Sequence, residues 1–199
     1  MLSLIVYPNA NQIKHDAVGA FIPEAQLFRK YHTKINPEAV IDEFQFNPKE
    51  KNKEEFFAAL MAKPYDSLFI FSHGLPDRLP QLEISNSDAQ AFADSFASNE
   101  PLVISLYCCL VAKLLMTPNF CHELGAALAR NGKRFDLYGH RTAGHTTANP
   151  NISQYNEKGL TASYPLCLKN FEKKFIKQMR TQNDAMRFMF PFAFRTERG

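Results

Sequence analysis

Nearly continuous apolar runs alternate along this chain with segments whose apolar residues recur at helical spacing. The runs at 2–7, 67–71 and 102–107 are short and mostly apolar, which is typical of strands that are covered on both faces of a parallel sheet. Helical spacing predicts helices at 54–61 and after Thr117-Pro118, an N-cap followed by a proline in the first turn. This alternation predicts an α/β fold, a three-layer sandwich with a mostly parallel central sheet.

The remaining segments carry weaker patterns. Residues 23–31 and 87–96 favour helices, and 39–46 alternates like a strand with one exposed face. Two prolines within 75–83 predict a loop. The later predictions are a strand at 135–138, a polar loop over 139–147, a strand at 160–168 and a basic amphipathic helix at 169–179.

Chain length and composition fit one globular domain. The 199 residues are 45% hydrophobic and 22% charged, as in folded proteins. No linker or repeat divides them, so we expect a single domain over 1–199, with 168–199 as a C-terminal helical extension. The net charge of +3 and the pI of about 8.6 are too weakly basic to indicate a nucleic-acid partner.

The apolar runs also bear on localisation. Residues 1–8 have neither a basic segment nor a long apolar core, so they do not resemble a secretory signal. No run approaches the roughly 18 apolar residues of a membrane span, so we expect none. The expected location is the cytoplasm, or outside the cell after export by a dedicated secretion machine.

The four cysteines favour free thiols over a disulfide framework. Cys108 and Cys109 are adjacent, and a bridge between neighbours is strained. Cys121 and Cys167 are expected to be packing residues. No CxxC pair is present, and the histidines of the 139–147 segment have no familiar zinc-ligand spacing, so we expect no metal.

Two predicted strands end in residues that carry chemistry. His73-Gly74 follows one strand, and Cys108-Cys109 follows the next buried one. Neighbouring parallel strands end at one edge of a sheet, so we expect the histidine and a cysteine to face each other there. A histidine can take a thiol proton, because the thiolate is the nucleophile, and can return it to a leaving amine. The amides of Gly74 and Cys109 are candidates for an oxyanion hole.

These residues resemble the caspase-like superfamily of cysteine peptidases, most closely the self-processing cysteine protease domains of large bacterial toxins. The matching segments are Ser72-His73-Gly74, the strand-to-nucleophile run 104–111, and Phe120, Leu124 and Gly132. The resemblance covers roughly residues 67–141. It implies a caspase-like fold and a cysteine endopeptidase, which cleaves a polypeptide substrate through a Cys-His dyad and a thioester acyl-enzyme.

The resemblance also bears on which cysteine is the nucleophile. The family usually has a small residue directly before it. With Cys109 as nucleophile that residue is Cys108, whereas with Cys108 it would be Tyr107, so Cys109 is preferred, with His73 as its partner. Leu110 and Val111 then replace the small polar or glycine residues of many members, and this departure leaves a weakened or lost activity open.

Other residues near these strand ends are candidates for lining a cleft. The candidates are Cys108, Asp77, Arg78, His140 and Arg141. A charged turn is the simpler interpretation of Asp77-Arg78, and a solvated loop that of His140-Arg141. The toxin domains are activated by a highly phosphorylated inositol, which implies an anionic polyphosphate activator here. Its candidate ligands are Lys133, Arg134 and the helix at 169–179, and no other cofactor is required.

Two further functions fit the same residues. A caspase-fold binding or regulatory module would keep the fold without an activated thiol. Another cysteine hydrolase, or an acyl transferase, would use the same dyad on the same fold. The sequence has no G-x-S-x-G elbow, no P-loop and no Rossmann fingerprint, so serine hydrolases and nucleotide-binding enzymes are not indicated.

Overall fold

Strands and helices alternate in the computed structural model, which describes residues 1–9, 21–114, 118–143 and 151–163. The strands are β1 (Leu2–Pro8), β2 (Val40–Phe46), β3 (Ser67–Phe71), β4 (Arg78–Leu79), β5 (Ile84–Ser85), β6 (Leu102–Tyr107), β7 (Phe135–His140), β8 (Ile152–Asn156) and β9 (Gly159–Ser163). The helices are α1 (Phe21–Ile35), α2 (Lys53–Ala62), α3 (Ala89–Asp94) and α4 (Phe120–Arg130).

Seven of these strands form one sheet in the order β2-β1-β3-β6-β7-β8-β9. The first five run parallel, and β8 and β9 are each antiparallel to their neighbours. Helices α1, α2 and α4 connect consecutive parallel strands. The predicted α/β fold with a mostly parallel central sheet is confirmed.

The alternation of side chains along the central strands divides the core into two layers. In β3, Leu68 and Ile70 pack with residues of α2, α3 and α4, whereas Phe69 and Phe71 pack with Phe28 of α1. We call these sides the α2–α4 face and the α1 face. Because helices cover both sides, the central strands need apolar residues at every position, and this explains their continuous apolar runs.

The segment after β3 differs from the predicted loop over 75–83. It contains β4, then one turn of 3₁₀-helix at Pro80–Leu82, and then β5, which pairs antiparallel with β4. Elements of two or three residues carry no hydrophobic period, so the sequence pattern could not predict them. The β4–β5 hairpin therefore directly follows the predicted histidine.

Helix α4 begins later than the predicted N-cap at Thr117, a residue outside the described ranges. Its N-cap is Asn119, whose Oδ1 accepts a hydrogen bond from the main-chain N–H of His122 at 2.9 Å. Pro118 consequently precedes the cap and does not occupy the first helical position. Asparagine and threonine are both good caps, and the sequence alone does not rank two candidates so close together.

The predictions beyond β7 are met in part. Strand β8 was not predicted, and β9 covers the beginning of the predicted strand at 160–168. Cys167, the basic helix at 169–179 and the extension at 168–199 lie outside the described residues. Within the ranges that the structure describes, no helix is long and apolar enough to cross a membrane.

Candidate active site

The sheet brings the two predicted strand ends together. Strands β3 and β6 are hydrogen-bonded parallel neighbours, and the last residue pair in their register is Phe71 with Tyr107. His73 follows two residues after Phe71, and Cys109 follows two residues after Tyr107. The predicted histidine and cysteine thus leave adjacent strands at the same edge and at the same level.

The first residue after each strand belongs to the α2–α4 face. Ser72 Oγ lies 3.3 Å from Cys108 Sγ, and the Cys108 thiol also contacts the main-chain oxygen of Ile70 at 3.6 Å. Cys108 is 0% exposed, and burial raises its pKa to about 12. Cys108 is therefore a protonated core thiol, and the prediction that it lines a cleft is wrong because its side chain faces the core.

The second residue after each strand is less buried than the first. Cys109 lies in the turn that follows β6, beyond the alternation of the strand. His73 lies on the α1 face, because its ring contacts Phe21 of α1. Cys109 is a reduced cysteine and is only half-buried. Of the two adjacent cysteines, it is the one that a reagent or substrate can approach.

His73 is held through both its ring and its main chain. Its imidazole meets the Phe21 ring edge to face, with ring centroids 5.0 Å apart and an interplanar angle of 89°. Its main-chain N–H donates to Oε1 of Gln81 at 3.0 Å. His73 as a whole is half-buried, so part of the residue is open to solvent.

Gly74 packs directly onto the backbone that carries the cysteines. A Cβ added at Gly74 would overlap the carbonyl oxygen of Cys109 and would lie 2.8 Å from Cγ1 of Val111 and 2.9 Å from Cβ of Cys108. No larger residue fits without moving the main chain after β6. The His-Gly pair therefore has a steric reason: the glycine lets the two strand ends approach each other.

The backbone after Cys109 turns sharply. Leu110 has φ +63°, in the left-handed region that favours glycine. For a residue with a Cβ, this conformation costs about 1–2 kcal/mol. The carbonyl of Leu110 accepts from the N–H of Lys113 at 2.9 Å, and the N–H of Ala112 donates to the carbonyl of His140 at 3.0 Å. Leu110, at which the sequence departs from the caspase-like pattern, thus adopts the conformation that glycine prefers.

Asp77 and Arg78 lie in a reverse turn that starts just after Gly74. The N–H of Leu75 donates to the carbonyl of Arg78 at 2.9 Å, and the carbonyl of Pro76 accepts from the N–H of Phe120 at 2.7 Å. The side chains of Asp77 and Arg78 form an exposed ion pair at 3.4 Å. The interpretation as a charged turn fits this geometry, and the turn is fastened to the start of α4.

His140 and Arg141 occupy different environments. His140 belongs to β7, is 1% exposed, and lies 6.2 Å from the ring of Tyr107 on the α1 face. Its interpretation as part of a solvated loop is wrong, because β7 runs two residues further than its apolar pattern, and the same burial contradicts the prediction that His140 lines a cleft. Arg141 is half-buried, and its main-chain N–H donates to the carbonyl of Asn151 at 2.8 Å.

Two of the three candidate ligands of a polyphosphate, Lys133 and Arg134, lie away from this edge. Lys133 and Arg134 precede β7, at the opposite end of the sheet from His73. The Lys133 ammonium donates to the carbonyls of Phe96 and Ser98, at 3.1 and 2.6 Å. Lys133 thus has a structural role, and the third candidate, the helix at 169–179, lies outside the described residues. No cluster of metal-ligating side chains occurs within the residues that the structure describes.

Sequence reasoning missed Phe21 and Gln81. Both contact His73, but neither lies in a motif, and contacts between separate elements leave no periodic signal. Gln81 is eight residues from His73 and belongs to the unpredicted 3₁₀ turn. Only the three-dimensional arrangement identifies them.

Comparison with known proteins adds little to this geometry. No family model matches the chain, and no curated protein matches its sequence. A structure that can be superposed is the azoreductase from Bacillus anthracis str. Sterne, with a TM-score of 0.33 and 8% identity over 59% of this chain and 73% of that chain. This similarity is too low to support an argument about family or activity.

Proposed function

We propose that this chain is a cysteine peptidase of the caspase-like superfamily, with Cys109 as nucleophile and His73 as its proton-transfer partner. The observation that carries the proposal is the juxtaposition of His73-Gly74 with Cys109 at the carboxyl ends of two paired parallel strands. The burial of Cys108 supports the choice of the second cysteine over the first.

The first half of the reaction transfers the acyl group to the thiol. His73 accepts the proton of the Cys109 thiol, and the sulfur attacks the carbonyl carbon of the scissile peptide bond. The C–N bond then breaks as the imidazolium of His73 donates its proton to the leaving amine. The products of this step are a free amine and a thioester on Cys109.

The second half regenerates the enzyme. His73 accepts a proton from a water molecule, whose oxygen attacks the thioester carbonyl. The C–S bond breaks, the Cys109 thiolate recovers a proton from His73, and the carboxylic acid product leaves. The amides of Gly74 and Cys109 are proposed to stabilise the oxyanion in both halves, since both belong to the backbone that Gly74 packs together.

A binding or regulatory module with an inert dyad is the second candidate function, and another cysteine hydrolase or an acyl transferase is the third. Leu110 and Val111 favour the inert module, because they stand directly after Cys109 where many members of the superfamily have small polar or glycine residues. An unreactive Cys109 would identify the inert module. Transfer to an added amine in preference to water would identify the acyl transferase.

The test is labelling of the folded protein with a peptidyl acyloxymethyl ketone probe, with and without a highly phosphorylated inositol. We expect labelling of the wild type to be abolished in Cys109→Ala, to fall at least about 100-fold in His73→Ala, and to persist in Cys108→Ala. Cys121→Ala is the matched control, because Cys121 is buried in α4. If Cys109 reacts no faster than a free cysteine under both conditions, the peptidase proposal is wrong.

A further inference from the structure

Gln81 is a buried polar residue whose side chain reaches the candidate base. It lies in the 3₁₀ turn of the β4–β5 hairpin and is only 7% exposed. Its Oε1 accepts the hydrogen bond from the His73 main-chain N–H at 3.0 Å. The hairpin thus returns to the strand end that it leaves and fastens the peptide group of His73.

Gln81 is itself fixed by a second buried amide. Asn52 precedes α2 and is 3% exposed, and its Nδ2 donates to the main-chain oxygen of Gln81 at 3.2 Å. The same amino group contacts the carbonyls of Asn47 and Glu50, each at 2.8 Å. A continuous chain of hydrogen bonds therefore runs from the turn before α2, through Asn52 and Gln81, to His73.

A buried glutamine is an expensive choice for packing alone. An apolar side chain of similar length would fill the same space without desolvating an amide, which costs about 1–3 kcal/mol when a hydrogen-bonding group is left unpaired. Among the described residues, none accepts a hydrogen bond from Nε2 of Gln81. What the amide supplies that an apolar residue could not is the acceptor for the N–H of His73.

We propose that Gln81 is a positioning residue, whose amide oxygen fixes the His73 peptide group so that the imidazole keeps the orientation in which it meets Phe21 and serves Cys109. This inference rests on the proposed cysteine peptidase function. Gln81 contacts neither the thiol nor a substrate, so it acts through His73. A misplacement of about 1 Å in a reacting group can lower the rate by two orders of magnitude, so fixing the His73 peptide group can outweigh the desolvation of the Gln81 amide.

The experiment measures the rate at which iodoacetamide alkylates Cys109 as a function of pH, with tandem mass spectrometry to assign the label. Gln81→Met removes the acceptor at nearly constant volume, and Gln81→Asn keeps an amide too short to reach His73. Gln81→Glu retains an acceptor of the original length. Gln90→Met is the matched control, because Gln90 makes hydrogen bonds with Asp94, Arg130 and Asn131 on the surface, away from the site.

We expect Gln81→Met and Gln81→Asn to lower the Cys109 rate at pH 7 by at least about tenfold and to shift the pH–rate curve toward that of His73→Ala. Gln81→Glu should lie closer to the wild type than either, and Gln90→Met should coincide with the wild type. Chemical denaturation of each variant reports its stability separately. Should Gln81→Met not fold, Gln81→Asn decides the matter alone.

Two negative outcomes are distinguishable. In the first, Cys109 of the wild type reacts faster than Cys109 of His73→Ala, and the pH–rate curve of Gln81→Asn coincides with that of the wild type. Gln81 is then only a structural residue, whether or not the variant is less stable, and this inference is overturned. If the wild-type curve already coincides with that of His73→Ala, the dyad itself is absent, and the proposed function fails together with the role of Gln81.

Discussion

Each end of the sheet has a histidine near a residue with a nucleophilic side chain, but only one of the two pairs is accessible. His32 of α1 lies 3.1 Å from Ser3 Oγ and stacks on Phe28, with ring centroids 5.5 Å apart. Ser3 and His32 are 0% and 1% exposed. At the other end of the sheet, His73 and Cys109 are both half-buried.

The difference shows that a histidine beside a hydroxyl or thiol is not sufficient for a site. Burial lowers the pKa of His32 to about 4, so the ring is neutral and serves as a hydrogen-bonded core residue. Ser3 is the second residue of the parallel strand β1, and the amino ends of such strands are not where α/β sheets bind ligands. His73 and Cys109 follow the carboxyl ends of their strands, the edge at which α/β sheets bind ligands.

The largest expected effect concerns the adjacent thiols, which differ in burial as the two histidines do. Burial raises the pKa of Cys108 from 9 to about 12, and this lowers its thiolate fraction about 1000-fold. In the native protein at pH 8, iodoacetamide should therefore alkylate Cys109 at least about 1000 times faster than Cys108. Tandem mass spectrometry over time measures both rates, and in denaturant the two should become similar. Equal native rates would contradict the assignment of Cys108 to the core.

The second prediction uses pH to test the buried pair of Ser3 and His32. The pKa of His32 is about 4 in the fold against 6.5 for a free imidazole, so the unfolded chain binds more protons between these values. The neutral His32 therefore stabilises the folded state fully above pH 6.5. This contribution to the free energy of unfolding, about 3 kcal/mol in total, is lost as the pH falls toward 4. Urea denaturation across this range measures it.

The control for this pH dependence uses two variants. His32→Leu should flatten the curve between pH 6.5 and 4, because the titrating group is gone. His122→Gln should preserve the wild-type curve, since His122 is exposed on α4. A slope that is the same in His32→Leu as in the wild type would refute the role given to His32.

The third prediction changes the end of the sheet that carries His73 and Cys109 and leaves the end with Ser3 and His32 unchanged. Gly74→Ala forces a Cβ against the Cys109 carbonyl, so it should cost about 2–3 kcal/mol of unfolding free energy and slow alkylation of Cys109. Gly125→Ala is the control, because its nearest neighbours are 3.7 Å away and it lies within α4. That variant should gain about 0.5–1 kcal/mol from helix propensity. Thermal unfolding distinguishes the opposite signs.

The smallest expected effect concerns the stability of the β4–β5 hairpin, which carries Gln81. Glu83 is exposed and has φ +54°, so Glu83→Gly should raise stability by about 0.5 kcal/mol through relief of left-handed strain, less the entropy that glycine loses on folding. Glu100→Gly, at an exposed residue whose φ is not positive, should instead lower stability. Paired denaturation curves decide the sign, and a loss in both variants would count against strain at Glu83.

The sequence was informative where structure follows from pattern. Continuous apolar runs identified β3 and β6, and the general rule for parallel sheets then brought His73 and Cys109 to one edge. It could not decide between the two cysteines without the resemblance, because burial is a property of the folded sheet. In the structure, Cys108 is fully buried, whereas Cys109, in the turn after β6, is only half-buried.

The residues that support His73 were beyond the reach of the sequence. Gln81 belongs to an element too short for periodicity, and Phe21 contacts His73 from another element of the fold. Ser3 and His32 are likewise 29 residues apart, with nothing in their spacing to suggest contact. Such pairs are set by packing between layers, for which a single sequence carries no local signal.

The pairing of β3 with β6 determines how long the two halves of the site stay aligned. Five register pairs join these strands near the middle of a seven-stranded sheet. Amide hydrogens in such central strands exchange with solvent mainly through global unfolding, while hairpins and edges open locally and far more often. The strand ends that carry His73 and Cys109 therefore stay side by side for as long as the folded state lasts, while opening of the β4–β5 hairpin releases the hydrogen bond from the His73 N–H to Gln81.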